Sequence, residues 1–380
     1  MIVAYEPFST NLNHVPVNSE FLNIIADRFP DKKIVFYGEK THMENVRKNV
    51  GADNVVFKDI KIIEPSQDRV GSVLNEKRNV QFISSLENEK IELLVVLNSH
   101  PHNMYFVKKY VKENIPVLFI IHGNIEELKR KKHIYQLGYW IKPAFGYKKH
   151  RKNKRYLVLG DSIRTNLLQY IDYIRDETVA VPHPYTLYVN TGERKRNNSN
   201  EITMGMIGSF SSEKRSNQIF VLEKKIKESG VKNIKYLLVG SGDSQDFPKD
   251  TTVRFIGDGK NKLSENDYNN GIEMLDFILF FWPKDSYQMT ASGALCDAIV
   301  HNKPIISIRN DYLTWVFNEV GDLGFLCEDI DEMADTVCRI SRGGLQEQIQ
   351  SFNPNFQKAR EFFSRANVAR IMDEKSVWMI

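Results

Sequence analysis

The stretch SYQMTASGALCDAIVHNKPIIS, residues 286–307, places a serine, a glycine and an acid where they could do chemistry. Ser292-Gly293 stands where a helix can begin. Asp297 follows five residues after Ser292, about one and a half turns on. A helix start offers unpaired N–H groups and roughly half a positive charge, which suits phosphate. The serine supplies a cap hydroxyl, and the glycine lets backbone approach closely. A carboxylate such as Asp297 accepts hydrogen bonds from hydroxyls. A nucleotide sugar has both partners, a diphosphate and a ribose diol. A capped helix with a locally bonded aspartate would carry the same residues, so this stretch alone leaves both readings open.

A second stretch, GMIGSFSSEKR at 205–215, leaves an apolar strand and enters a helical pattern. Gly208 and Ser209 leave room, and Lys214 and Arg215 bring cations to the same face. A cation beside a helix-dipole site can hold a diphosphate without a metal. Two solvated basic residues in a first helical turn would read the same way.

The elements that must position these groups form a repeating pattern. Short apolar strands are expected at 2–5, 33–37, 54–57, 92–97, 116–121, 156–159 and 178–181. Helical patterns at 19–29, 42–50, 72–88, 102–114 and 161–175 lie between them. After Glu201 the alternation restarts, with strands at 203–207, 235–239, 252–256, 277–281 and 304–308 and helices at 214–229, 291–301, 331–342 and 355–378. Strands alternating with crossover helices imply parallel sheets covered on both faces. The polar run TGERKRNNSN at 191–200 reads as a linker. At 380 residues the chain suits two domains. We therefore expect an α/β protein with two Rossmann-like domains, 1–190 and 201–355, whose parallel sheets face an interdomain cleft. The helical segment 356–380 is expected to return to the first domain.

Composition narrows the class. With 42% hydrophobic and 26% charged residues the chain is a folded globular protein, and apolar runs such as 117–121 are too short to span a bilayer. Residues 1–6 lack the charged leader and apolar run of a signal peptide, so a cytoplasmic location is expected. Cys296, Cys327 and Cys338 form no CxxC pair and read as reduced packing residues, with no metal framework. The net charge of +4 hides an island: residues 129–155 hold 11 lysines and arginines and no acid, and subtracting them leaves −7.

The second half resembles the donor domain of GT-B glycosyltransferases, in particular the large retaining group that uses nucleotide-diphospho-sugars. MGMIGSFSSEKRSNQIF is similar to its glycine-then-lysine loop, and YLLVGSG followed by VRFIGDG to its central strands. DFILFFWPKDSYQMTASGALCDAIVHNKPIIS resembles the acidic-pair motif, and GDLGFLCEDIDEMADTV the closing segment. The resemblance covers roughly residues 200–345 well and the first half in outline. It implies that Lys214 contacts the diphosphate, with Gly208 and Ser209 lining the loop. Asp297 would bind the ribose, and Gly293, Ala294 and Leu295 would offer N–H groups beside Ser292. Two positions depart from the pattern: Met289 stands where the first acid is usual, and Ser209 where an arginine is common.

In the first half the resemblance points to His122, at the end of VLFIIHGN, as the histidine facing the transferred sugar. A histidine there could bond the sugar or assist proton movement. His100 and His102, in LNSHPHN, compete for the role. The family's glycine-rich first loop is absent. EPFSTNLNHVPVNSEF offers Asn11, Asn13 and His14 instead, which could read an acceptor or simply fill the loop. The basic island interleaves cations with Tyr135, Tyr139, Trp140, Phe145 and Tyr147. This composition suits an anionic membrane surface, with Lys131, Lys132, Trp140, Lys148 and Arg151 as contacts and a lipid-linked acceptor. No nucleic-acid motif is present, and no nucleic-acid partner is expected.

Three signals are set aside. Gly240-Ser241-Gly242 lacks the third glycine of a dinucleotide fingerprint. Asp329-Ile330-Asp331 reads as helix capping, and His183-Pro184-Tyr185 as part of a hinge. The expected function is transfer of a sugar from a nucleotide-diphospho-sugar to a glycan acceptor in surface polysaccharide or glycoconjugate synthesis. Closure of the domains would exclude water during transfer. The expected enzyme is metal-independent, has no cofactor, and is cytoplasmic with peripheral attachment at the inner face of the cell membrane. Two alternatives are a nucleotide-sugar epimerase and a non-catalytic sugar-nucleotide-binding partner of an active transferase.

Overall fold

The structure is a computed structural model that describes residues 1–378 apart from 87–89, 130–132, 134, 135, 186–200, 243–246, 258, 260, 262 and 286. The first half runs β1 (Ile2–Tyr5), α1 (Val15–Arg28), β2 (Ile34–Gly38), α2 (Lys40–Arg47), β3 (Val55–Asp59), α3 (Arg69–Ser85), β4 (Leu93–Ser99), α4 (Pro101–Tyr110), β5 (Val117–Ile121), α5 (Leu137–Gly146), β6 (Lys154–Val158), α6 (Asp161–Tyr170) and β7 (Thr178–Ala180). The second half runs β8 (Ile202–Ser209), α7 (Gln218–Glu228), β9 (Ile234–Ser241), β10 (Arg254–Phe255), α8 (Glu265–Glu273), β11 (Phe277–Phe280), α9 (Gly293–Val300), β12 (Ile305–Ile308), α10 (Asp311–Val320), β13 (Gly324–Cys327), α11 (Ile330–Ser341), α12 (Gln346–Ser351) and α13 (Asn353–Phe362), and α14 (Arg365–Glu374) closes the chain.

Two compact units result. Unit 1 comprises Met1–Thr186, Gln288–Ala291 and Phe363–Ile380, and unit 2 comprises Leu187–Tyr287 and Ser292–Phe362. Unit 1 holds a seven-stranded sheet in the order β3-β2-β1-β4-β5-β6-β7. Unit 2 holds a six-stranded sheet in the order β10-β9-β8-β11-β12-β13. Among the described residues all pairings are parallel, with Ile2 opposite Ile34 and Leu93 in the first sheet and Met204 opposite Tyr236 and Phe277 in the second. Both orders reverse beside their first strand, the doubly wound arrangement that puts ligands beyond the strands' carboxyl ends. Covered on both faces, β1, β2, β4 and β5 are buried throughout. The unit 2 core packs Met204, Leu238 and Leu279 of its strands against Leu222 of α7 and Val337 of α11.

Several elements differ from the sequence expectation. The expected helix 355–378 is two helices. It breaks at Phe363, where Ser364 caps α14 by accepting from the Asn367 amide. The segment belonging to unit 1 thus begins at Phe363 and not at residue 356. There Lys375 donates to the Ala180 carbonyl at 2.8 Å, and Arg28 pairs with Asp373 at 2.9 Å. The elements α5, α8, α10, α12 and β13 were not expected. The α8 segment, ENDYNNGIE, has weak helix propensity. It forms because Ser264 caps it and Gly271 lies against Val239, where an added Cβ would sit 2.6 Å from a methyl. The strand expected at 252–256 is reduced to Arg254–Phe255. The proposed linker at 191–200 lies outside the described residues.

Candidate functional site

In unit 2 the loop after β8 supplies one side of the site. Gly208 closes the strand at φ +85° and Ser209 ends it. The chain then makes turns through 212–217 before α7 begins at Gln218, so Lys214 precedes the helix and does not lie in its first turn. Arg215 is exposed at φ +49°, while Lys214 folds back over the strand end. Its Nζ lies 3.5 Å from where a Cβ on Gly208 would stand, an ordinary contact distance, so the ammonium packs beside the strand end, and the positive φ is what calls for glycine there. Burial pushes the Lys214 pKa down. Asp297 opposes this, followed by Glu213.

The α9 start supplies the other side. Ser292 caps the helix by accepting from the Leu295 amide at 3.2 Å. A Cβ on Gly293 would meet nothing within 4 Å, so the backbone of the first turn borders open space. Ala294 and Asp297 are half-buried on the same helix. Asp297 Oδ2 accepts from Tyr268 Oη at 2.9 Å. Burial, and then Asp297, hold the Tyr268 hydroxyl well above its usual pKa, so it stays a donor. Tyr268 was not singled out in the sequence, because its helix α8 was not expected. The structure thus gathers Gly208, Lys214 and Asp297 within electrostatic reach, with the α9 N-terminus on the same polypeptide unit.

The signals set aside have structural explanations. Gly240 pairs with Gly208 across β9 and β8, and at φ +150° a Cβ on it would fall 1.9 Å from the Gly208 carbonyl oxygen. That glycine is required by strand contact, not by a cofactor. Asp329 caps α11, accepting from the amides of Asp331 and Glu332 at 3.0 Å.

In unit 1 the loop after β1 is organised by a buried carboxylate and not by glycines. Glu6 is fully buried, and it accepts from the Phe8 and Ser9 amides at 2.9 and 2.8 Å and from Asn18 Nδ2 at 2.7 Å. Asn11 and His14 take left-handed backbone at φ 51° and 56°. Asn13 is exposed. His14 Nδ1 accepts from Asn98 Nδ2 and Ser9 Oγ, both at 3.0 Å. Its ring lies 4.8 Å from that of His122, and His183 stands 6.5 Å beyond. His122 is buried and its Nε2–H donates to the Leu97 carbonyl at 3.0 Å, which leaves Nδ1 as the acceptor. Burial and the neighbouring histidines push His122 well below its usual pKa and hold His183 at about 4, so both rings are neutral at pH 7. His183, expected at a hinge, is part of this cluster.

At Met289, where the resemblance lacks an acid, an acid arrives from another segment. The Met289 amide donates to Glu126 Oε2 at 2.7 Å, and Glu126 Oε1 pairs with Lys129 at 3.1 Å. The basic island is only partly a surface. Arg151 is not a surface residue: it is buried, and its guanidinium donates to the carbonyls of Val111, Lys112 and Ile115 at 3.0, 2.8 and 2.7 Å. Lys154 is buried too and pairs with Glu177 at 2.6 Å. Lys148 bridges to Glu113 at 3.2 Å, and Trp140 on α5 is 39% exposed. Lys131 and Lys132 lie outside the described residues. Among the described residues no helix is long and apolar enough to cross a membrane.

No protein-family model and no curated protein matches the sequence. Solved structures do. HepE from Anabaena, in complex with UDP and glucose, is similar over 99% of both chains with a TM-score of 0.68 at 12% identity. Sucrose-phosphate synthase from Thermosynechococcus elongatus covers 100% of this chain and 99% of its own, with a TM-score of 0.64 at 12% identity. UDP-GlcNAc 2-epimerase from Neisseria meningitidis, bound to UDP-GlcNAc, matches over 100% of both chains with a TM-score of 0.56 at 13% identity. The likeness establishes the GT-B fold, two Rossmann-like units with parallel sheets of seven and six strands.

Proposed function

We propose that this chain transfers a glycosyl group from a nucleoside-diphospho-sugar to a glycan acceptor, in the synthesis of a surface polysaccharide or glycoconjugate. The observation that carries the reading is that Lys214, packed beside the glycine end of β8, feels the charge of Asp297 on α9, the helix that Ser292 caps. Neighbours of the same fold bind UDP with glucose and UDP-GlcNAc, which supports a uridine nucleotide as the first donor to try. Lys214 and the helix start would stabilise the departing diphosphate as negative charge develops there, and that contribution needs no metal. Asp297, held by Tyr268, would accept from the ribose hydroxyls.

Unit 1 would present His122 Nδ1 and the neutral His14 and His183 rings to sugar hydroxyls, with His122 the candidate for proton movement. A lipid-linked acceptor on a cytoplasmic membrane face is the favoured class, with Trp140 and the exposed cations of 129–155 meeting anionic lipid. The test is release of UDP from UDP-glucose and UDP-GlcNAc by the purified chain, with and without glycan acceptors. Acceptor-dependent release that falls in Lys214→Gln and Asp297→Asn supports transfer. Interconversion of the donor without acceptor would favour the epimerase reading. Binding without any turnover would favour a non-catalytic partner.

A further inference from the structure

We propose that Glu76, His100 and His102 form a binding site for a borderline divalent transition-metal ion such as Zn2+, in unit 1 beyond the carboxyl end of β4. His100 follows that strand directly, His102 lies in the first turn of α4, and Glu76 comes from α3. One ligand atom from each lies within 4.8 Å of the others. Glu76 and His100 are only 5% and 6% exposed, where an isolated carboxylate is costly.

The decisive feature is direction. His100 Nε2 stands 2.9 Å from Glu76 Oε1, the separation of an ordinary ion pair. Yet Glu76 Oε1 has no hydrogen-bond partner, and neither does His100 Nδ1. A simple imidazole–carboxylate pair would seat its N–H on the oxygen. Two atoms this close that do not aim at each other are free to aim at a shared third point, as ligands of one ion do. The His100 and His102 rings are 6.2 Å apart and nearly perpendicular, at 86°, so the second imidazole closes on that point from another side.

Chemistry selects the ion. Two imidazoles and one carboxylate make the three-ligand set of zinc sites that keep a fourth position open. The nitrogen-rich set disfavours Ca2+ and Mg2+, which take oxygen ligands. Phe8 lies 5.5 Å from the His100 ring and Trp140 6.1 Å from the His102 ring, walling the site with aromatic surface. The open position would take water or an oxygen-bearing ligand. The site stands on unit 1 alone and is independent of the donor reading for unit 2.

The experiment uses the full chain without a polyhistidine tag, stripped with a chelator. Zn2+ is titrated against a chromophoric indicator, and Co2+ is followed by its visible absorption. The expected result is one equivalent of Zn2+ per chain and Co2+ bands of a four- or five-coordinate nitrogen–oxygen site. His100→Ala combined with His102→Ala should weaken binding by at least about 100-fold, the top of the range for losing even an outer partner of a metal ligand. The gentler His102→Gln and Glu76→Gln variants should each weaken it by about 10-fold or more. Far-UV circular dichroism and urea unfolding report whether each variant is folded. No uptake at micromolar Zn2+, or the same uptake in the folded variants, overturns the proposal.

Discussion

Replacing Lys214 by glutamine tests the donor site most directly. The ammonium lies beside Gly208 and feels the Asp297 carboxylate, and in the proposed donor site it would meet the diphosphate. Hydrogen bonds to charged groups are worth about 1.5–3 kcal/mol, and each 1.36 kcal/mol is tenfold. Lys214→Gln should therefore raise the Kd for UDP by about 10- to 160-fold, read by isothermal titration calorimetry. The pH profile supplies a second readout. Burial sets the Lys214 pKa below the usual lysine value, and a bound diphosphate favours the charged amine. Affinity should be level while the amine is protonated and fall as pH rises through that lowered pKa. Asp297→Asn removes the carboxylate that holds the pKa up, so the alkaline fall should move to lower pH. In Lys214→Gln this limb should vanish. A change in Kd below about threefold, or an alkaline limb identical in wild type and Lys214→Gln, would refute the reasoning.

Tyr268→Phe removes the 2.9 Å bond that orients Asp297, so UDP-sugar affinity should fall by about tenfold while uracil-free pyrophosphate binds as before; equal losses for both ligands would count against the ribose role. Glu6→Ala strands the amides of Phe8 and Ser9 and the Asn18 side chain, at roughly 1 kcal/mol or more each. Hydrogen exchange should accelerate across residues 7–14, and Glu6→Gln, whose oxygen still serves the amides, should exchange at intermediate rates. Arg151→Met leaves three carbonyls without their donor and should cost about 3 kcal/mol of stability while leaving binding to anionic vesicles unchanged; lost vesicle binding with intact stability would make it a surface contact after all. Acid should unfold unit 1 through its histidines. The unfolded chain takes a proton on His183 near 6.5, but the folded one resists until about 4, so stability should drop as pH falls across that window and level off below it. His183→Gln should flatten the drop in urea titrations followed at each pH.

Much of the fold was legible because its causes are local. Apolar runs such as Ile2–Tyr5 and Val117–Ile121 declare strands covered on both faces, and their alternation with helical patterns implies parallel sheets. Cap chemistry is equally local: Ser292 and Asp329 bond to amides two or three residues on, as their spacing suggested. Lys214 and Asp297 could be singled out because strand ends and helix starts mark where phosphate binds. Polar side chains whose partners come from distant segments could not be read this way. A charged residue in a polar stretch looks alike whether it meets water or carbonyls, so Arg151 passed for surface. Tyr268 joins Asp297 across 29 positions, and Glu126 meets Met289 from 163 positions away. Periodicity carries no information on such pairs. Burial makes an unpaired polar group costly, and packing then decides which distant residue relieves it. Strand–helix alternation and helix caps follow from residue types within a few positions of one another, whereas the facing of polar groups such as Tyr268 and Asp297 rests on close approach between segments far apart in the chain, which only folding brings about.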